Sequence, residues 1–235
     1  MNETLLPSGS LQGLEVLHDL PPLTTQRLLA GSRLLRHRHR APLIRAGDDA
    51  DHFALVVSGC YKMLKPRPDG GGTLIAFATS GEPIGLLTMA ETGPHGYPID
   101  VESLGMSSAL WIPKRTYEEA WLREPRVVRR MHLALLKRSR DLHADRASQH
   151  LPLPARIGLF LLRHLERSGV DDHGLLKFPL TRREIAEAVG AQTESVVRVM
   201  SAWQKSDWIS TCERHIEIRH PDRIAHLIEL AESPS

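Results

Sequence analysis

The spacing of apolar positions changes along the chain, and each change predicts a different kind of element. Between residues 33 and 112 the apolar residues fall in short runs bounded by Gly and Pro: "APLIRAGD", "HFALVVSGCYKML", "GTLIAFATSGEPIGLL", "PIDVESL" and "SSALWIP". Each run predicts a strand, and "RPDGGGT" (67–73) predicts a hairpin turn. Many short strands at fairly even intervals suggest an antiparallel barrel or jelly roll. A helical lead-in, "LQGLEVLHDLPPLTTQRLLAGS", precedes them.

From Pro113 to Gly158 glycine is scarce and the apolar period lengthens. "EPRVVRRMHLALLKRSRDLHADRASQ" has Pro125 near its start, where proline suits a first helical turn. Val128, Met131, Leu135 and Leu142 recur at spacings of three, four and seven, which makes one stripe of a long helix. Arg138 interrupts that stripe. Such a helix could pack on its own barrel. The narrow stripe and charged flanks favour a two-fold dimer helix. "LPLP" (151–154) breaks it as a hinge. A helix "ARIGLFLLRHLERSG" ended by Gly169, a loop "VDDHG", two short helices around a glycine in "LTRREIAEAVGAQTESVVRVMSAWQ", a hairpin "WISTCERHIEIR" and a last helix "PDRIAHLIELAE" follow. The expected organisation is α+β. A jelly-roll sensor barrel spans residues 1–119, a dimerisation helix 120–150, and a winged helix-turn-helix 151–235.

Composition narrows this little. Apolar residues at 41% and charged residues at 25% suit a soluble globular chain, and 235 residues suit one large or two ordinary domains. No apolar run approaches bilayer length, and "MNETLLPSGS" lacks the features of a signal peptide. Cys60 and Cys212 are too few for a disulfide scaffold, so a reducing cytoplasm is expected. A net charge of +2 argues only weakly for nucleic acid, and the C-terminal third is roughly balanced. Thirteen histidines could serve metal, haem or pH sensing, but scattered surface residues are the plainer reading.

The candidate chemistry lies in the helical pair. Thr181 with Glu184 forms a capping box, and Gly190 sits where a tight interhelical turn needs positive φ. Val196, Val199, Met200 and Trp203 have core spacing on the second helix. Its other face presents Gln192, Thr193, Glu194, Val197 and Arg198 near the N-terminal end, the end that enters a major groove in helix-turn-helix proteins. Glu can accept from cytosine N4, and Arg can donate two bonds to guanine O6 and N7. A generic helical hairpin would share the cap, the glycine and the apolar face. The wing-like hairpin after it, with Arg214 at its turn, points to DNA.

The whole succession resembles the CRP/FNR family of bacterial transcription regulators. The signs are "IRAGD", "ALVVSGCYKM", "GEPIG" and "LTRREIAEAVG…TESVVRVMSAWQKSDWIS". The resemblance implies a cyclic-nucleotide-binding-type jelly roll, a dimerisation helix and a winged helix. It also implies a non-enzymatic homodimer on double-stranded, palindromic DNA, with RNA polymerase as a further partner. Glu194 and Arg198 match the family's base-reading pair. Thr193 replaces a second reading arginine of the cyclic-AMP-responsive members. Thr181, Arg182, Arg183 and Arg214 match positions near the DNA backbone. In the effector loop Leu86 follows Gly85 where nucleotide-binding members carry glutamate, and their Arg-Ser pair falls near Tyr97 and Pro98. Only Arg138, on the long helix, could neutralise a phosphate. Cyclic AMP is therefore not expected as effector, and an unpaired buried phosphate would be costly. The N-terminal cysteine cluster of an FNR-type iron–sulfur protein is absent. Haem remains open, with His132 as the axial candidate. An unknown small molecule, a cyclic dinucleotide or no ligand also remain open.

Two rivals stand beside this reading. "GSRLLRHRHRAPLIRAG" places His37 and His39 two apart, on one face of a strand, like the first half of a cupin metal motif. Leu43 and Ile44 occupy the place of the needed glutamate, and "RHRHR" reads as a solvated strand. The other rival is a regulator of the same fold that needs no effector.

Overall fold

In the computed structural model, residues 11, 14–68, 71–91, 96–168, 170, 174–176 and 178–232 are described. The N-terminal decapeptide, the tip of the "RPDGGGT" turn, Gly169 and most of "VDDHG" lie outside them. The chain divides into two compact units, Met1–Arg140 and Asp141–Ser235.

In the first unit α1 (Pro22–Leu28) precedes the strands β1 (Arg33–His37), β2 (Pro42–Ile44), β3 (His52–Pro66), β4 (Gly72–Thr79) and β5 (Pro83–Ile84). Then come α2 (Leu86–Ala90), β6 (Asp100–Pro113), a short α3 (Lys114–Thr116) and α4 (Pro125–Ala147), which continues past the unit's end at Arg140. All pairings are antiparallel in the order β1-β6-β3-β4, with β2 on β6 and β5 on β3. "PIDVESL" and "SSALWIP" prove to be one strand, β6, because β3 is long enough to pair along its whole length. "GTLIAFATSGEPIGLL" instead divides into β4, β5 and α2.

β3 shows how one strand serves two cores. Phe53 and Leu55 face a cluster with Trp121, Leu86 and Met89, while Ala54 and Val56 face a second cluster with Ile44, Ile84 and Tyr97. Register shifts between Val56 and Cys60 reverse the phase, so Tyr61 and Met63 join the second cluster. A bulge is the physical means, since one extra residue moves every later side chain to the opposite face. Each fully buried side chain of this size stabilises the fold by roughly 1.5–3 kcal/mol.

The α4 stripe divides: two of its four residues meet the protein's own barrel and two face solvent. Met131 is buried in the first cluster beside Val127, and Leu135 packs against it. These residues seat α4 on its own barrel. The phase that meets this barrel runs through Val127 and Met131, so Val128, Leu133 and Leu136 are turned outward. Leu142 is also exposed.

The second unit contains α5 (Leu153–Ser168), α6 (Arg182–Val189), α7 (Thr193–Lys205), the hairpin β7 (Ile209–Cys212) and β8 (His215–Ile218), and α8 (Pro221–Glu232). Ile185, Val189, Val196, Met200 and Trp203 form the inward faces of α6 and α7. Val199 is only partly buried. Among the described residues no helix is long and apolar enough to cross a membrane.

Candidate nucleic-acid interface

The helical pair is built by local chemistry. The Thr181 hydroxyl accepts from the Glu184 N–H at 3.2 Å, and the Glu184 carboxylate accepts from the Thr181 N–H at 2.9 Å. This reciprocal cap starts α6. Gly190 ends it at φ 64°, with its N–H donating to the Ala186 carbonyl. Gln192 is the N-cap of α7, yet its side chain makes no capping bond.

From this start α7 turns Glu194, Val197, Arg198 and Ser201 to solvent and Val196 and Met200 inward. Thr193 is half-buried. Arg198 donates to the Ser195 hydroxyl at 3.2 Å, which holds the guanidinium back toward the N-terminal turn. Ser195 was not among the expected site residues. Its signal was its place one turn before Arg198, the spacing at which helical side chains meet.

The expected backbone-contacting residues separate into two kinds. Arg183 is exposed and pairs with Glu187 at 2.9 Å across one helical turn. Arg214 is exposed at the wing turn, where Glu213 and Arg214 both take positive φ, the backbone of a tight two-residue hairpin. Arg182 is different. It donates to the Thr211 hydroxyl at 2.9 Å and to Gln204 Oε1 at 3.4 Å, and burial lowers its pKa. Its guanidinium ties α6 to the wing and to the end of α7. The periodicity of α6 could not reveal this, because Gln204 and Thr211 lie more than twenty residues away. The Leu180 N–H also donates to the Arg214 carbonyl at 2.9 Å, anchoring the wing turn beside α6.

The expected effector residues do not form one group. Gly85 and Tyr97 meet. Gly85 has φ 77°, and a Cβ there would come within 2.7 Å of the Tyr97 ring. The Tyr97 hydroxyl donates to the His52 carbonyl, and burial pushes the phenol up to about 12. Leu86 instead joins the other cluster, and Pro98 is exposed. Arg138 reaches Met63 of the Tyr97 cluster, with its guanidinium 3.1 Å from the thioether sulfur.

The histidine expectations are corrected. β1 stops at His37, so the two-residue period does not carry His39 onto the same face. His37 is buried rather than solvated. Its Nδ1 lies 2.9 Å from the Tyr61 hydroxyl, and burial lowers its pKa. His39 Nδ1 accepts from the Gly105 N–H at 3.0 Å. Ile44 belongs to the barrel core. Among the described residues, no three His, Cys, Asp or Glu side chains are grouped to hold a metal ion. His132 is exposed and lines an open cleft of about 480 Å³ with Leu122, Val128 and Leu133.

The comparisons agree with this architecture. Residues 155–227 match the family described as "Crp-like helix-turn-helix domain", and residues 35–124 match "Cyclic nucleotide-binding domain". The chain is 23% identical over 233 residues to the "CRP-like cAMP-activated global transcriptional regulator" of Mycobacterium tuberculosis, covering 96% of this chain and 98% of that one. It is 26% identical over 191 residues to the "Transcriptional activator protein Anr" of Pseudomonas protegens, covering 79% and 76%. Among solved structures FixK2 from Bradyrhizobium japonicum has the same fold, with a TM-score of 0.69 at 20% identity over 87% of this chain and 98% of that one. The chain thus belongs to the CRP/FNR family: a non-enzymatic, DNA-binding transcription regulator that joins a cyclic-nucleotide-binding-type effector domain to a Crp-like helix-turn-helix.

Proposed function

We propose that the protein is a homodimer that reads a palindromic operator through Glu194 and Arg198 of α7, with Gln192, Thr193 and Val197 beside them. The carrying observation is the exposed Glu194–Arg198 pair at the start of α7, with Arg198 held in place by Ser195. Glu194 accepts from cytosine N4 and Arg198 donates to guanine O6 and N7, one helical turn apart. Arg183 and Arg214 contact phosphates, and Thr181, whose N–H and hydroxyl are engaged with Glu184, fixes the start of α6 beside them. Two copies of α7 reach successive major grooves about one DNA turn apart. Replacing Arg198 with Ala should cost about 1–3 kcal/mol at the selected operator and relax the preference for its G·C pair. Unchanged preference between operator and random DNA, read by fluorescence anisotropy, sinks the assignment.

The dimer forms through the outward face of α4, where Val128, Leu133 and Leu136 stand exposed around His132. Sedimentation at micromolar concentration should give a dimer, and a Leu136→Glu variant should give a monomer. A monomer in wild type with DNA present would end the dimer reading. RNA polymerase is the further partner, on the family resemblance, and the cytoplasm is the compartment, on the two cysteines.

The barrel, residues 1–119, receives a signal other than cyclic AMP. The Mycobacterium tuberculosis relative is named as cAMP-activated, but here Leu86 is packed in a core and Tyr97 covers Gly85. Arg138, reaching Met63, is the cation that an anionic effector would meet. Haem through the exposed His132 is not part of this reading. Operator affinity should be unchanged by millimolar cyclic AMP, and a large gain would refute the exclusion. Leu86 in the core and the Tyr97 ring over Gly85 equally favour a regulator that needs no effector. Tight binding by pure ligand-free protein, equal to that in cell extract, would favour it.

A further inference from the structure

The outward stripe of α7 contains one apolar side chain that the reading of Glu194 and Arg198 does not use. Val197 is 41% exposed, whereas its neighbour Val196 is fully buried. A lone exposed valine on a helix is ordinary. This one stands inside the reading face, three residues after Glu194 and one before Arg198, with Ser201 a turn further on.

We infer that Val197 reads the C5-methyl group of a thymine next to the G·C pair read by Glu194 and Arg198. Three physical points carry this. In the major groove the only apolar feature any base pair presents is the thymine methyl. Valine is branched at Cβ and stiff at χ1 in a helix, so it loses little freedom on contact. A valine also slightly weakens an exposed helix relative to alanine, so helix propensity does not account for it. The inference deepens the proposed base reading and rests on it. The recognised chemistry is a methylated pyrimidine edge. Thymine is its source in the operator, and 5-methylcytosine carries the same group.

The experiment uses full-length protein and 30-bp duplexes recovered from a randomised library by repeated selection. Each thymine of the half-site is replaced in turn by deoxyuridine, which removes the methyl and nothing else. One thymine beside the G·C pair should show a loss of about fourfold per half-site, the worth of one methyl taken out of water. In Val197→Ala that loss should vanish, so the coupling between variant and base isolates the contact. In Val197→Thr, which keeps one methyl, part of it should remain. At the same position 5-methylcytosine opposite guanine should bind wild type better than cytosine does, and Val197→Ala should not distinguish the two.

Equal deoxyuridine losses in wild type and Val197→Ala at every thymine would overturn the inference. If that result came with an Arg198→Ala variant that had lost its G·C preference, the base reading would survive and only Val197's role would fall. If Arg198→Ala kept its preference as well, the base reading would fall and this inference with it.

Discussion

His164 makes the DNA-binding unit sensitive to acid. The imidazole is 5% exposed on α5, with its ring 4.1 Å from that of Phe160 and 5.4 Å from that of Phe178. Its Nδ1–H donates to the Phe160 carbonyl at 2.9 Å. Burial, aided by the charge of Arg167, pushes its pKa down from 6.5 to about 3. Between those values the unfolded chain holds a proton that the folded chain refuses. Stability is therefore complete above the unfolded pKa and is lost as pH falls through it toward the folded value. From about pH 7.5 to about pH 5.5 the unfolded form gains roughly tenfold in weight, a loss of about 1.4 kcal/mol. The assay is hydrogen exchange of α5 amides in wild type and His164→Leu, corrected for the intrinsic pH dependence of exchange. The other histidines are common to both proteins and cancel in the difference. Wild type should lose about 1.4 kcal/mol more opening free energy than His164→Leu over this range. Parallel curves would refute the reasoning and show that the folded imidazole accepts its proton.

The other predictions follow from the contacts of α6 and α7. Thr181→Ala removes the hydroxyl half of the capping box and should lower stability by about 1 kcal/mol, read from the urea midpoint at constant m. Arg183→Ala should reduce the salt dependence of DNA binding by about one phosphate contact, because Arg183 is exposed. Arg182→Ala should weaken binding with the salt slope unchanged, because its guanidinium is engaged with Thr211 and Gln204. A reduced slope in Arg182→Ala would place it on a phosphate after all.

Much of this protein was legible in one dimension wherever a feature depends on neighbours in sequence. The cap at Thr181 and Glu184, the positive φ of Gly190 and the outward turn of Glu194 and Arg198 all act within one or two helical turns. Helical and extended periods likewise separated the barrel from the helices, because each element buries one face. Three things needed the tertiary structure. Met131 and Leu135 of the α4 stripe pack on the protein's own barrel while Val128 and Leu142 stay exposed, and periodicity cannot say which surface each part of an apolar stripe meets. Arg182 is held by Gln204 and Thr211, contacts that exist only once α6, α7 and the wing are assembled. His37 looked solvated in "RHRHR", but it shares a buried face of β1 with Leu35 and its Nδ1 meets the Tyr61 hydroxyl. Sequence alone decided which residues can act chemically and which faces they share. Folding decided which are already occupied, because a guanidinium or imidazole held by a distant segment has its donors and acceptors spent before any ligand arrives.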